Sequence, residues 1–250
     1  MKTYKTESGR SMIEMLGVLA IIGVLSVGGI AGYSKAMMKY RTNKTIEQIS
    51  MIVTNVRTLF GSQKNYKALG ATTNGSLIAR AKLFPDELIS GETIADNPFG
   101  GAIQLVAGSR SSDDATNTCT GCGDAKAFVL AYGNIPEEAC MDLATQDWGS
   151  ASGSGLIMAQ IFSDVEGVCE GADTGDSGDT TPDNVEGNSA RQSGADTCTA
   201  LASKVADFAK KQDCATTTNG VACGGKGPMS ASSAAAICAD DKNALLLKFY

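Results

Sequence analysis

Histidine, the side chain that most often acts as a general acid or base in enzymes, is absent from this 250-residue chain. The absence of histidine removes Ser-His-Asp and Cys-His nucleophile pairs, histidine general bases and histidine zinc ligands. Enzymes can use other residue types, but this composition favours a protein that is not an enzyme. We therefore predict no catalytic residue, no cofactor and no metal.

The cysteines are the most reactive groups that the chain does contain. Cys119 and Cys122 form a Cys-x-x-Cys pair, a pattern that elsewhere is redox-active or supplies half of a metal site. No βαβ pattern surrounds this pair and no second Cys-x-x-Cys exists, so a structural disulfide is favoured. Eight cysteines lie downstream of a long apolar run, which predicts an oxidising compartment; they are Cys119, Cys122, Cys140, Cys169, Cys198, Cys214, Cys223 and Cys238.

Two further segments imitate ligand-binding motifs. Residues 171–184 are rich in aspartate, but their spacing differs from that of an EF-hand loop, so a solvated acidic loop is favoured. Residues 220–227 imitate a phosphate-binding loop, but Gly227 stands where Ser or Thr is required and Pro228 blocks an immediate helix. The net charge of -6 also argues against a nucleic-acid partner. None of these three ligand classes is predicted.

Glu14 stands apart because it precedes a long stretch without charge, residues 15–33. At about 1.5 Å per residue, a helix over this stretch spans about 28 Å, close to the hydrocarbon thickness of a bilayer. A cleaved secretory signal is disfavoured because the apolar pattern runs on into more helix. The sequence therefore predicts a membrane span over residues 15–33 with a carboxylate at its start.

The helix that carries Glu14 is predicted to continue to Gly61, which is a plausible C-cap. Its second half is amphipathic, with apolar residues at three- and four-residue spacing: Ile46, Ile49, Ile52, Val53, Val56, Leu59 and Phe60. This stripe is typical of a helix that packs on its own domain. A helix of about fifty residues would thus have one half in lipid and one half on a folded head.

The charges that flank the apolar stretch do not decide its orientation. Basic residues lie on both sides: Lys2, Lys5 and Arg10 precede it, and Lys35, Lys39, Arg41 and Lys44 follow it. The positive-inside rule alone favours a cytoplasmic position for the downstream residues. Because eight thiols are harder to explain in a reducing cytoplasm, we place the downstream part outside.

The downstream residues predict an α+β head with helices packed on an antiparallel sheet. Apolar runs at residues 102–106, 127–132 and 245–250 are predicted strands, and a helix is expected after Pro136. A further helix is predicted in residues 195–211, with one apolar face formed by Cys198, Leu201, Ala202, Val205, Phe208 and Ala209.

Residues 9–33 resemble the processing signature of type IV pilins and pseudopilins, in which a glycine, four residues and a glutamate precede a long apolar helix. The resemblance implies that a prepilin peptidase cuts between Gly9 and Arg10 and methylates the new amine of Arg10. It also implies that Glu14 pairs with the N-terminus of a neighbouring subunit. The alternative is that Glu14 sits at headgroup depth and suits the helix dipole. Gly28 and Gly32 form a small-xxx-small pair suited to close helix packing.

Three downstream segments, residues 77–101, 128–144 and 230–250, resemble the head of type IVb, PilS-like pilins. This resemblance implies a disulfide between Cys140 and Cys238, while the pairing of the other six cysteines stays open. Residues 145–229 match less well and are interpreted as an insertion. The implied organisation is a leader at 1–9, an assembly helix at 10–61, and an extracytoplasmic, disulfide-rich head at 62–250.

The resemblance implies a structural subunit of a type IV pilus-like filament. Such a subunit waits in the bacterial inner membrane, is processed by prepilin peptidase, and is moved by the assembly machinery into a surface pilus. Its partners would be other pilin subunits, and its roles adhesion, aggregation or conjugative contact. Two alternatives stay open: a type II secretion pseudopilin, and a membrane-tethered extracellular binding domain that is neither cleaved nor polymerised.

Overall fold

One helix, α1, runs from Met12 to Phe60 in the computed structural model and contributes to both compact units of the chain, Met1–Tyr40 and Arg41–Tyr250. This confirms the predicted long helix for the part of it that the structure describes, Met12–Phe60. It contains no proline, and the chain turns after it, where the backbone N–H of Gln63 donates to the carbonyl of Phe60 at 2.9 Å. The structure describes residues 12–63, 65–70, 80–90, 93–94, 96–109, 125–149, 155–163, 201, 204–209, 221–225 and 228–250.

Several predicted features lie outside the described residues. They are the leader with Gly9 and Arg10, the acidic segment 171–184, and five of the cysteines: Cys119, Cys122, Cys169, Cys198 and Cys214. Cys223 lies in a described strand. The predictions made for the residues outside this part of the chain stay predictions.

The described strands are β1 Ile89–Ser90, β2 Thr93–Ile94, β3 Ile103–Gly108, β4 Ala127–Ile135, β5 Leu156–Phe162, β6 Val221–Gly225 and β7 Asn243–Phe249. Five of them form an antiparallel sheet at the centre of the second unit, with the spatial order β3-β4-β7-β5-β6. β1 and β2 pair with each other in a separate two-stranded ribbon. The three predicted strands correspond to β3, β4 and β7, with the first running two residues further and β4 three residues further than expected. The predicted α+β class is confirmed.

The interpretation of residues 145–229 as an insertion is wrong where this segment forms the strands β5 and β6. β5 pairs with β7 on one side and β6 on the other, so this segment supplies two of the five strands of the sheet. β6 occupies Val221–Gly225, inside the segment that imitates a phosphate-binding loop, and its residue Ala222 pairs with Ile161. The glycines there belong to a strand, a structure unlike the loop that cradles phosphate.

Helices cover both faces of the sheet, which explains why β7 is buried along its whole length. On one face, helical residues 201 and 204–209 pack against a cluster that includes Val129, Leu246 and Met158. On the other face, Phe249 lies beneath Arg57 of α1, 5.2 Å from the guanidinium carbon to the ring centre. Two short helices, α2 at Glu137–Thr145 and α3 at Ala231–Ile237, complete the unit.

The buried face of α1 differs in detail from the predicted stripe. Leu59 is exposed and Ile46 is only half-buried, whereas three polar residues, Thr42, Thr45 and Gln48, are buried. Thr45 satisfies its hydroxyl by donating to the carbonyl of Arg41, four residues earlier, at 3.0 Å. Short polar side chains that bond within their own turn can occupy a buried helix face at little cost, and the apolar pattern cannot reveal them.

Asn97 holds the turn before β3 against β4. Its side-chain oxygen accepts the backbone N–H groups of Phe99 and Gly101 at 2.9 Å and 3.0 Å, and its amide nitrogen donates to the carbonyl of Gly133 at 2.8 Å. Gly101 must be glycine there, because a Cβ would overlap the carbonyl oxygen of Gly133. The turn and the strand therefore approach each other more closely than side chains would permit.

We expect Asn97→Ala to lower the free energy of unfolding by about 2–3 kcal/mol, because it leaves buried backbone groups without their partners. Chemical denaturation followed by circular dichroism measures this change. Asn65→Ala is the matched control, since the hydrogen bond that the Asn65 side chain accepts from the N–H of Lys67 is exposed. Equal midpoints for the two variants would contradict the role given to Asn97.

Candidate functional site

The first half of α1 presents an uninterrupted apolar surface. All residues from Met12 to Lys35 that the structure describes are exposed, and large side chains such as Val24 and Leu25 are 76% and 69% exposed. By length and composition, α1 is the one helix within the described residues that is able to cross a membrane. An exposed apolar surface of this length requires lipid or protein to cover it.

Glu14 lies in the first turn of α1, where a negative charge also suits the helix dipole. It is exposed, and none of the described residues forms an ion pair with it. The structure thus places the carboxylate at the start of the apolar surface. Its role in assembly stays a prediction.

Gly28 and Gly32 lie one helical turn apart on α1, so they share one face. A Cβ at either position would meet no atom within 4 Å, and the same holds for Gly17, Gly23 and Gly29. Within the described residues, nothing therefore requires glycine at these five sites. A requirement for small residues there has to come from a partner that approaches the helix closely.

The second half of α1 is fixed to the head by polar contacts at one end. The ammonium of Lys44 lies 3.0 Å from a carboxylate oxygen of Glu87, and the amide of Gln48 donates to the other oxygen at 2.8 Å. The hydrogen bond from Gln48 lowers the pKa of Glu87 below its usual value, and Lys44 adds to the effect. The two contacts to Glu87, from Lys44 and from Gln48, connect the middle of α1 to the 3-10 turn Asp86–Leu88.

Arg57 fixes the other end of α1 and was not singled out by the sequence. Its guanidinium stacks on Phe249, and a Cβ at Gly155, whose φ is +70°, would overlap the Nη2 atom. Burial lowers the pKa of Arg57 from its usual value. The Nε and Nη2 atoms have no hydrogen-bond partner within the part of the chain that the structure describes. Stacking on an aromatic ring and close packing therefore hold this cation in place.

A disulfide joins Cys140 of α2 to Cys238, which directly follows α3. This is the pairing that the resemblance implied. Both cysteines are buried, and they are 98 positions apart in the sequence. The disulfide therefore links two helices that lie far apart along the chain.

The described residues contain no group of three or more His, Cys, Asp or Glu side chains that would hold a metal ion. The largest buried polar groups serve the fold instead. Lys248, for example, is fully buried in β7 and donates to the carbonyl of Ala209 at 2.8 Å. The hydrogen bond satisfies an ammonium group that would otherwise be costly to bury.

The model of the family described as PilS N terminal matches residues 39–203, which is more than half of the chain. The chain belongs to the PilS family. The match includes the second half of α1, Cys140 and strands β3 to β5, whereas Glu14, Cys238 and β7 lie outside it. The resemblance to type IVb, PilS-like pilins is thereby confirmed.

Two curated relatives of this PilS-family chain are each the major structural subunit of bundle-forming pilus, one from Escherichia coli O127:H6 (strain E2348/69 / EPEC) and one from Escherichia coli O111:H-. Each is 26% identical over 155 residues, which cover 61% of this chain and 72% of the relative. Both relatives are named as structural proteins.

Proposed function

We propose that this PilS-family chain is a structural subunit of a type IV pilus filament. The observation that carries the proposal is the exposed apolar surface of α1 from Met12 to Tyr33, which no described part of the chain covers. In a bilayer, lipid covers this surface. In a filament, neighbouring helices cover it and exclude both water and lipid.

The polar features of α1 fit the same role. Gly28 and Gly32 allow a second helix to approach closely, and Glu14 supplies the charge that sets the register between subunits. A carboxylate surrounded by apolar helices is costly unless it is paired, and the N-terminal amine of a processed neighbour is a suitable partner. Contacts of this head-to-tail kind generate open filaments.

The proposal includes processing before assembly. A prepilin peptidase cuts between Gly9 and Arg10 and methylates the amine of Arg10, which frees the positive charge that Glu14 requires. The precursor is held in the inner membrane with its head outside the cytoplasm, and the pilus assembly machinery then moves it to the cell surface. Adhesion, aggregation or conjugative contact would follow from the filament.

The decisive experiment is the intact mass of the protein from cells with and without prepilin peptidase. We expect a peptidase-dependent loss of residues 1–9 with one added methyl group, and recovery of the mature chain in sheared surface filaments. Gly9→Val is expected to stay unprocessed, whereas Gly23→Ala, at a position with open space around it, is the processed control.

Two results would favour other functions. An unprocessed chain in both strains would contradict the proposal and support a membrane-tethered extracellular binding domain. A processed chain that reaches filaments only in the presence of a type II secretion system would support a pseudopilin instead.

A further inference from the structure

The end of the apolar surface of α1 carries a belt of two tyrosines and two lysines, Tyr33, Lys35, Lys39 and Tyr40, all within the first compact unit. All four residues are exposed, with 67% of Tyr33 and 61% of Tyr40 accessible. The two tyrosines are seven positions apart and so share one face of the helix, while the two lysines, four positions apart, share the opposite face. We call these four residues the interfacial belt.

The interfacial belt lies at the depth of lipid headgroups if residues 15–33 span the bilayer. With Tyr33 at the hydrocarbon boundary, Lys35 is about 3 Å and Lys39 about 9 Å further along the helix axis. The headgroup layer on each side of a bilayer is roughly 5–8 Å thick. Helical side chains lean towards the N-terminus, which here is the membrane side, so the long lysine stems bring both ammonium groups back into this layer.

The charge of the interfacial belt is positive in a chain that is otherwise acidic. The sequence has no Asp or Glu between Glu14 and Glu47, although the net charge of the whole chain is -6. These lysines are among the residues that oppose the positive-inside rule when the head lies outside the cytoplasm. A basic pair on this side of the membrane is suited to bind the negatively charged headgroups of lipids there.

We propose that Lys35 and Lys39 bind the phosphate of anionic phospholipid headgroups in the outer leaflet of the inner membrane, with Tyr33 and Tyr40 fixing the depth of the helix. The proposal rests on the proposed function, because it needs the precursor to wait in the membrane. Tyrosine rings prefer the membrane–water interface, and lysines at a membrane surface attract anionic lipid. The interfacial belt thereby sets the height at which the subunit waits before assembly.

The experiment uses the full processed chain in detergent with equal amounts of phosphatidylglycerol and phosphatidylcholine, and native mass spectrometry counts the lipids that stay bound. Each lysine near an anionic surface contributes about fivefold to binding, so the pair predicts a preference of about 25-fold for phosphatidylglycerol. Lys35→Gln/Lys39→Gln is expected to abolish this preference, and Lys35→Arg/Lys39→Arg to keep it. Higher salt should weaken it through screening.

The matched control is Lys67→Gln/Lys82→Gln, which removes the same charge from two exposed lysines of the head and should leave the lipid preference unchanged. Equal retention of the two lipids by the wild-type chain would overturn the proposal. So would a loss of filaments in Lys35→Gln/Lys39→Gln without any change in lipid preference, since the lysines would then contact a neighbouring subunit. Peptidase processing and filament yield of the wild type test the proposed function separately.

Discussion

Glu14→Ala is expected to lower incorporation of the chain into filaments by about tenfold or more, because it removes the negative charge that pairs with a neighbouring N-terminus inside an apolar helix bundle. Loss of one partner of a buried ion pair leaves the other charge uncompensated, which is strongly unfavourable. The subunit in the membrane does not need this pairing of Glu14, because the first turn of α1 lies at the edge of the apolar stretch. Insertion into the membrane should therefore be unchanged.

The ratio of filament-bound to membrane-bound chain, measured by quantitative immunoblot of sheared and membrane fractions, gives the size of the effect. Glu47→Ala is the matched control: it removes an acidic residue from the same helix, whose exposed carboxylate forms a loose ion pair with Lys44 at 3.7 Å. Glu14→Asp, which keeps the charge, should recover part of the assembly. Normal filament yield from Glu14→Ala would disprove the pairing and leave Glu14 as a residue that suits the helix dipole.

The double substitution Cys140→Ala/Cys238→Ala is expected to lower the free energy of unfolding of the head by about 2–5 kcal/mol, because the bridge closes a long loop and so restricts the unfolded chain. The two cysteines are 98 positions apart, at the long end of the range over which this effect operates. For a unit of this size the melting temperature should fall by about 5–15 °C. Alanine is preferred to serine because both sites are buried.

Thermal and denaturant unfolding under oxidising conditions measure this loss of stability. Ala236→Ser is the control, since it changes an exposed residue of the same short helix that leads to Cys238. A melting temperature within about 2 °C of the wild type would show that the fold resists unfolding without the bridge. The disulfide would then be unnecessary for the stability of the head.

The fold could be predicted from sequence where one physical signal dominates. The uncharged stretch after Glu14 and the three- and four-residue spacing beyond it are strong helix signals, and α1 follows both. β4 and β7 are runs of β-branched, aromatic and leucine side chains next to turn residues, and each is buried on both faces. Such runs show that a strand exists, although they do not show which strand it pairs with.

Structure could not be predicted from the sequence where contacts between residues that are far apart in the chain decide it. β6 contains two glycines and only one β-branched residue, and it becomes a strand because β5 supplies its hydrogen bonds. Lys248 would be expected to face water, yet it is buried because the carbonyl of Ala209 lies within reach. Arg57 and Gly155 lie far apart in the sequence, and neither residue type indicates that the other packs against it. In the candidate site, Glu14 could be found because an isolated charge beside an apolar run is visible in the sequence alone.

The position of β7 has a consequence for how the head acquires its shape during synthesis. This strand separates β4 from β5 in the sheet, yet Asn243 reaches back to the carbonyl of Ile135 across 108 positions in the sequence. A ribosome makes β3, β4, β5 and β6 first, so before β7 exists these four strands can form only two separate pairs, β3 with β4 and β5 with β6, each with unpaired edges. Unpaired edges invite aggregation, and contacts between distant residues form slowly. We therefore expect the nascent head to need protection until β7 emerges and joins the two pairs into one sheet.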